Sequence, residues 1–238
     1  MIKRRFVFIA SVLLILSIGV MGIIPVRNDA SMMASANIRT ACRVIIDCGH
    51  GGEDGGAVAA DGTMEKDLNL TIGLYLRQFL VQSGFDVVMI RDDDTAIYDS
   101  DAVTLREKKK SDLLNRTELV NNSDENVLIS IHQNKFSDSK YYGTQVFYSK
   151  NHRESKMLAE DIRLSVKGLI QSGNERQCKE ATSEIYLLSN AVVPAVLVEC
   201  GFLSNTNELS RLVDSKYQKQ LAYSVYAGFL QFYYNKYN

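Results

Sequence analysis

Val44-Ile45-Ile46-Asp47-Cys48-Gly49-His50-Gly51-Gly52 has the pattern of a buried strand that runs into a glycine-rich loop. A second apolar run, Val127-Leu128-Ile129-Ser130-Ile131-His132, also ends in a histidine, and the whole chain has only three histidines. Ligand sites of α/β sheets form at the carboxyl ends of the strands. We therefore expect the imidazoles of His50 and His132 to converge on one metal ion.

Two carboxylates occupy matching positions. Glu65 follows the glycine-rich loop where a helix begins, with Thr63 as the expected N-cap, and Glu199 ends the apolar run 195–198. Taken singly, each has a plain structural interpretation: Glu65 favours the helix dipole and Glu199 is a paired core carboxylate. Together with the histidines, the pattern predicts His50, Glu65 and His132 as zinc ligands and Glu199 as a catalytic group.

The rest of the pattern alternates strands and helices, which predicts an α/β fold with one mixed, roughly six-stranded sheet and helices on both faces. Predicted strands cover 43–48, 85–90, 126–131, 143–149, 185–188 and 195–200. Predicted helices cover 65–83, 111–122, 152–171, 205–213 and 216–235, and a charged loop is expected over 92–110.

Composition excludes some classes of function. The 238 residues carry a formal net charge of −1, so the overall charge does not favour nucleic acid as a partner. The glycine-rich loop lacks the spacings of phosphate-binding loops, which argues against a nucleotide site. Four cysteines could form disulfides in an exported protein, but Cys48 and Cys200 lie in strand-end motifs and are expected to be buried thiols; Cys42 and Cys178 have polar neighbours.

The N-terminal region has the features of a targeting segment. Lys3-Arg4-Arg5 precedes an apolar stretch, 6–26, of about 21 residues, long enough to span a bilayer, so the remainder is expected outside the cytoplasm. A small-residue site at Ala34-Ser35-Ala36 leaves open whether this segment is a cleaved signal peptide or a retained membrane anchor. The expected organisation is a signal or anchor over 1–36, a tether over 37–42 and a catalytic domain over 43–238.

Four ordered segments resemble the zinc-dependent N-acetylmuramoyl-L-alanine amidases. They are Ile46-Asp47-Cys48-Gly49-His50-Gly51-Gly52, Glu65-Lys66-Asp67-Leu68-Asn69-Leu70, Ser130-Ile131-His132-Gln133-Asn134 and Val198-Glu199-Cys200-Gly201-Phe202-Leu203-Ser204-Asn205. The resemblance covers about residues 43–236. It implies a three-layer α/β/α domain in which the positions of His50, Glu65 and His132 bind zinc and that of Glu199 is catalytic.

The resemblance also implies a reaction and a setting. Glu199 would take a proton from the attacking water and deliver it to the amine that leaves when the amide between N-acetylmuramic acid and L-alanine in peptidoglycan is cleaved. Arg116 and Asn134 would orient neighbouring groups or substrate. The stretch 105–116 resembles the corresponding stretch in the branch of these amidases that modifies spore cortex. The resemblance to that branch implies an accessory lipoprotein as a partner. One position departs: the family usually has proline where Cys48 stands, and that change would loosen the loop holding His50.

Two alternatives remain open on the sequence. One is a protein of this fold that binds metal weakly and depends on, or serves, a partner. The other is a zinc carboxypeptidase of related fold, which would need an arginine or similar group placed for a terminal carboxylate.

Overall fold

The computed structural model describes residues 41–237, so the expected signal or anchor and residues 37–40 of the expected tether lie outside the described residues. Within that range the chain forms six strands and six helices. In chain order they are β1 (Arg43–Cys48), α1 (Glu65–Gln82), β2 (Asp86–Met89), α2 (Leu105–Asn121), β3 (Asn126–Asn134), β4 (Gln145–Tyr148), α3 (Ser155–Leu169), β5 (Lys179–Glu180), α4 (Tyr186–Asn190), β6 (Ala195–Phe202), α5 (Thr206–Leu212) and α6 (Ser215–Tyr237). No helix of residues 41–237 is both long enough and apolar enough to cross a bilayer.

The six strands form one mixed sheet in the order β2-β1-β3-β6-β4-β5, which confirms the predicted fold class. Strands β2, β1, β3 and β6 are mutually parallel, and β4 runs antiparallel to β6. Three apolar runs, in β1, β3 and β6, therefore lie side by side at the centre. Their carboxyl ends meet at one edge, where the histidines were expected to converge.

Successive strand residues point to opposite faces, and each face has its own core. On one face, Ile46, Ile129 and Val198 pack beneath the long helices α1, α3 and α6. On the other face, Ile45, Leu128 and Ala195 pack with apolar residues of α2 and the one-turn helix α4. The second helical layer is thus much thinner than the first, and it leaves room for a cleft over the sheet.

Cys48 and Cys200 are fully buried, as expected. Cys42 has polar neighbours along the chain, yet only 2% of its surface is exposed, and Cys178 is half-buried. Burial raises the pKa of the Cys48 thiol to about 12, so it is a neutral packing group.

One predicted strand and one predicted helix cap are wrong. Residues 185–188 are not a strand but the start of α4, because a short apolar run does not distinguish a strand from a buried helical turn. The edge strand is instead β5, whose Lys179 and Glu180 are exposed and carry no apolar signal. Thr63 is not the N-cap of α1; Met64 holds that position without a side-chain bond, although Glu65 does open the helix.

Helix α2 begins at Leu105, about six residues before the predicted start. The Thr104 hydroxyl accepts a hydrogen bond from the Glu107 backbone N–H, and the Glu107 carboxylate accepts one from the Thr104 N–H, which forms a capping box. The basic residues 108–110 therefore lie in a helix and not in the expected loop. This placement brings Lys108 and Lys109 against the loop that carries His50.

Candidate metal centre and catalytic cleft

Three of the predicted site residues meet at the carboxyl edge of the sheet. His132 Nδ1 lies 2.9 Å from Glu65 Oε1, and His50 Nε2 lies 3.2 Å from Glu65 Oε2. One ligand atom from each of the three residues lies within 4.8 Å of the others, so the group can hold a metal ion. The convergence predicted from the two strand ends is confirmed. Two imidazoles and one carboxylate are a donor set that suits zinc and leaves a coordination position open.

The glycine-rich loop makes this convergence possible. His50 has φ of 65°, a left-handed conformation that is rare for a residue with a side chain. Gly56 also has positive φ, and a Cβ there would lie 2.6 Å from His50 Cδ2 and 2.7 Å from Glu65 Oε2. A Cβ at Gly49 would overlap the ring of His132. The glycines thus supply both the bend and the free space that the ligand side chains occupy.

Asp54 orients the first histidine. Its Oδ2 lies 2.9 Å from His50 Nδ1, while its Oδ1 pairs with Lys109 Nζ at 2.8 Å. Burial opposes the charged imidazole, but the bonds to Asp54 and Glu65 outweigh it and raise the pKa of His50 to about 9. A carboxylate behind a metal-ligating histidine is a common supporting arrangement, because it fixes the ring and its tautomer.

Glu65 is held in place by several donors. Its Oε2 accepts from the Ala57 N–H at 2.8 Å and its Oε1 from the Gln133 N–H at 3.1 Å. Burial would raise the pKa of this carboxyl, but the two histidines keep it well below the ordinary value. Glu65 is therefore an anion, and donors from the glycine-rich loop and from β3 set its position.

Glu199 lies directly beside the cluster. It is the register partner of His132 across the β3–β6 pair, so both side chains stand on the same face of the sheet. Its Oε2 is shielded from solvent and has no hydrogen-bond partner within residues 41–237. Burial raises the pKa of Glu199 to about 7. A carboxyl with one buried and unpartnered oxygen, beside a candidate metal-ligand cluster, is suited to accept and return a proton near neutral pH.

Two arginines hold the backbone of the loop. Arg116 donates to the His50 carbonyl at 2.9 Å and pairs with Asp47 and Asp112. Burial alone would raise the pKa of Asp47, but the Arg116 guanidinium keeps it below the ordinary value. Arg91 donates to the carbonyls of Cys48 at 2.7 Å and Gly49 at 3.1 Å. These bonds brace the loop at Cys48, the position at which the sequence resemblance leads us to expect proline.

Within residues 41–237, one further predicted site residue has no hydrogen bond to the cluster. Asn134 ends β3, and its backbone carbonyl accepts from the Leu203 N–H at 2.8 Å. Among residues 41–237 no hydrogen bond joins the Asn134 side chain to His50, Glu65 or His132. Sequence reasoning missed Asp54 and Arg91. The only signal for Asp54 is its place four residues after His50, and the signal for Arg91 is its place directly after the predicted strand 85–90.

A cavity of about 360 Å³ adjoins the two histidines. Its floor is the sheet at Asp47, Ser130 and Leu197, and its walls are α2 and α4. Apolar and aromatic side chains make up much of the lining, and they include Tyr98, Leu105 and Tyr186. The cluster therefore borders a cleft large enough for part of a substrate.

Comparisons with known proteins agree with this arrangement. A family model described as N-acetylmuramoyl-L-alanine amidase matches residues 44–231. The germination-specific N-acetylmuramoyl-L-alanine amidase of Bacillus subtilis is 35% identical over 193 residues, which cover 81% of this chain and 80% of the relative.

Solved structures show the same fold. The CwlD amidase from Clostridioides difficile, solved in complex with the GerS lipoprotein, is 42% identical with a TM-score of 0.77, and the match covers 80% of this chain and 98% of that one. An N-acetylmuramoyl-L-alanine amidase from Clostridium difficile 630 is 32% identical with a TM-score of 0.71, covering 84% of this chain and 100% of that one. The chain therefore belongs to the N-acetylmuramoyl-L-alanine amidase family.

Proposed function

We propose that this chain is a zinc-dependent amidase that hydrolyses the bond between N-acetylmuramic acid and L-alanine in peptidoglycan. His50, Glu65 and His132 hold the metal, and Glu199 is the catalytic residue. The single observation that carries the proposal is the position of Glu199, which is in register with His132 and whose Oε2 is buried and unpartnered within residues 41–237. The donor set of two imidazoles and one carboxylate fits zinc, and the cavity borders this cluster on the side away from the sheet.

Zinc bound there would supply Lewis-acid chemistry, because it polarises the scissile carbonyl and makes water nucleophilic near neutral pH. Glu199 takes the proton of the attacking water and returns it to the nitrogen of L-alanine as the amide bond breaks. Asp54 keeps the His50 ring in its ligating orientation. Arg116 fixes the backbone carbonyl of His50 and so acts as a positioning residue. Asn134, on the same face of β3 as His132, is proposed to orient the substrate.

The setting we propose is the spore cortex, with the catalytic domain outside the cytoplasm. The Bacillus relative is a germination-specific amidase, and the structure of the Clostridioides relative is a complex with a lipoprotein. An accessory lipoprotein is therefore the partner we propose for this chain. The apolar segment 6–26 would serve as its signal or membrane anchor.

The carboxypeptidase alternative is less well supported. It needs a cationic group free to receive a terminal carboxylate. The guanidinium of Arg116 is engaged by Asp47, Asp112 and two backbone carbonyls, and that of Arg91 by four backbone carbonyls.

The test is to incubate the purified chain with peptidoglycan, with added zinc or with a chelator, and to analyse the fragments by mass spectrometry. We expect zinc-dependent release of stem peptides that begin with a free L-alanine amine. Loss of only the terminal amino acid would support a carboxypeptidase instead. Unchanged peptidoglycan in both arms, with zinc bound to the protein, would support the partner-dependent alternative.

A further inference from the structure

Strands β3 and β6 present three successive pairs of residues on the face that carries the site. Ser130 and Leu197 are register partners and form part of the cavity floor. His132 and Glu199 are the next pair and form the reaction row. Asn134 and Phe202 are the third pair. Each step is two residues, or roughly 7 Å along the strand, so the reaction row lies between the cavity and Phe202.

A β-bulge brings Phe202 to this face. The register between β3 and β6 shifts after His132, so that two residues of β3 span three of β6. Without the extra residue, Phe202 would point to the opposite core. Bulges near active sites often re-aim a side chain in this way.

Phe202 is the base of an exposed aromatic surface that we call the aromatic shelf: Phe136, Tyr141, Phe202 and Arg176. The ring centroids of Phe136 and Tyr141 lie 5.6 Å and 6.2 Å from that of Phe202, and the Arg176 guanidinium lies 4.6 Å over the same ring. Phe202 is buried, whereas Phe136 is 50% exposed and Tyr141 is 39% exposed. Large aromatic side chains left exposed beside a catalytic cleft indicate a binding surface.

The shelf is held in place before any ligand arrives. The Phe136 N–H donates to Ser204 Oγ at 3.2 Å, and Asn205 Nδ2 donates to the carbonyls of Ser139 and Tyr141. The residues that begin α5 therefore fasten the loop that carries both exposed rings. A pre-organised surface binds without the cost of ordering a loop.

The two sides of the scissile bond have different shapes. The amine side is a stem peptide, a chain that is short and can enter a cavity. The acyl side is a sugar of a polymer that continues in both directions, and such a chain fits an open surface and not a cavity. Sugar rings also offer an apolar C–H face that stacks on aromatic rings, while their hydroxyl groups bond to polar side chains such as Arg176.

We propose that the aromatic shelf binds the glycan strand of the substrate and that the cavity between α2 and α4 receives the stem peptide, with the scissile amide across the reaction row. This inference rests on the proposed amidase function and adds the direction in which the substrate lies. Phe136 and Tyr141 are then specificity-determining residues for polymeric substrate. Tyr186, on the cavity wall, contacts the peptide.

The test compares two substrates with the zinc-loaded full-length chain in the absence of any partner: N-acetylmuramoyl-tripeptide with one sugar, and the same tripeptide on an oligomeric glycan. Tyr141→Ala should raise KM for the oligomer about 3- to 10-fold, the loss of one aromatic contact, and leave KM for the single-sugar substrate within about 2-fold. Tyr141→Phe keeps the ring and should resemble the wild type. Tyr186→Ala should raise KM for both substrates, because both carry the peptide.

Tyr234→Ala is the matched control, since this tyrosine is 65% exposed on α6, in the helical layer on the other face of the sheet. It should change neither KM. A Tyr141→Ala enzyme with wild-type KM for the oligomer would overturn the proposal and leave the shelf to another occupant, such as a protein partner. Equal loss on both substrates would also overturn it. A zinc-loaded wild-type chain that cleaves neither substrate would instead contradict amidase activity of the chain on its own and support the partner-dependent alternative, which is a separate outcome.

Discussion

The metal-ligand cluster depends on one residue in an unfavourable conformation. His50 adopts φ of 65°, which costs on the order of 1–3 kcal/mol for a residue with a side chain. The surrounding contacts hold it there: Arg116 binds its carbonyl, and Asp54 and Glu65 bind the two ring nitrogens. The strained conformation of His50 is thus stabilised by charged side chains from the glycine-rich loop, from α1 and from α2.

Asp54 is therefore predicted to control metal affinity without touching the metal. Asp54→Asn keeps the shape of the side chain but removes the charge that supports the His50 ring. We expect zinc affinity to fall by about 10- to 100-fold, the usual effect of losing a group that orients a ligand. Competition with a chromogenic chelator would measure it.

The control is Glu53→Gln, because Glu53 is the neighbouring residue and forms a comparable ion pair with Lys108 at 2.7 Å, but its side chain is 59% exposed. An exposed pair contributes little, so zinc affinity should stay near that of the wild type. Equal loss in both variants would mean that loop charge, and not the bond to His50, sets the affinity.

The ligand and the proton-transfer group should fail in different ways. His132→Ala removes one of three donors and should abolish tight zinc binding while the fold persists. Glu199→Gln should retain zinc near stoichiometry but lower amide hydrolysis by roughly 10²- to 10⁴-fold, because an amide can accept a hydrogen bond but cannot take the proton. Measuring both the zinc content, by elemental analysis, and the cleavage rate of each variant distinguishes loss of a metal ligand from loss of the proton-transfer group. Cleavage near the wild-type rate by Glu199→Gln would remove Glu199 from the mechanism.

At the scale of elements, close helix packing supports the thicker layer of the sheet. Helices α3 and α6 cross at Gly228, where a Cβ would overlap the backbone of Ile162. Backbone cannot move aside as a side chain can. Gly228→Ala should therefore lower the free energy of unfolding by about 1–3 kcal/mol, although alanine is the better helix former.

Gly168 is the matched control, since it lies in the last turn of α3 and an added Cβ there meets nothing within 4 Å. Gly168→Ala should leave stability unchanged or raise it by up to about 1 kcal/mol. Denaturant unfolding of both variants tests the pair. A Gly228→Ala variant as stable as the wild type would show that α3 and α6 can separate without cost.

The sequence predicted the central elements well because their signals are local. Runs such as 44–48 and 195–198 are buried on both faces, so their apolar pattern is continuous and the polar residue at the end stands out. The observed proximity of His50, Glu65 and His132, with Glu199 in register beside His132, follows from that local signal. Elements with exposed or mixed surfaces were predicted less well. Strand β5 has no apolar residue, and the first two turns of α2 contain a run of lysines without an amphipathic pattern.

The contacts around the site that the sequence does not predict join distant segments. The bond between Arg91 and Cys48 joins residues that are 43 positions apart, and that between Arg116 and Asp47 joins residues that are 69 apart. Neither follows from spacing, because each requires the order of the strands in the sheet. The bulge that turns Phe202 toward the cleft is equally non-local, since it is defined only by pairing with β3.

At the scale of the whole molecule, the two helical layers differ in thickness, and function follows from that difference. Three long helices, α1, α3 and α6, cover one face and make the larger core. The other face is covered by α2 and the short α4, so the reaction row and the cavity stay accessible. A polymer such as peptidoglycan needs this open face, because its strands cannot enter an enclosed site.

The substrate we propose also sets where the molecule must work. Peptidoglycan lies outside the cytoplasmic membrane, and the basic residues before the apolar segment 6–26 favour a cytoplasmic N-terminus, which places the catalytic domain on the other side. A reporter enzyme that is active only outside the cytoplasm, fused after Asn238, should therefore be active. The same fusion lacking residues 1–36 should be inactive, which controls for leakage. Activity only from a cytoplasmic reporter would contradict the proposed peptidoglycan substrate, and the size of the mature fusion would distinguish cleavage after Ala36 from a retained anchor.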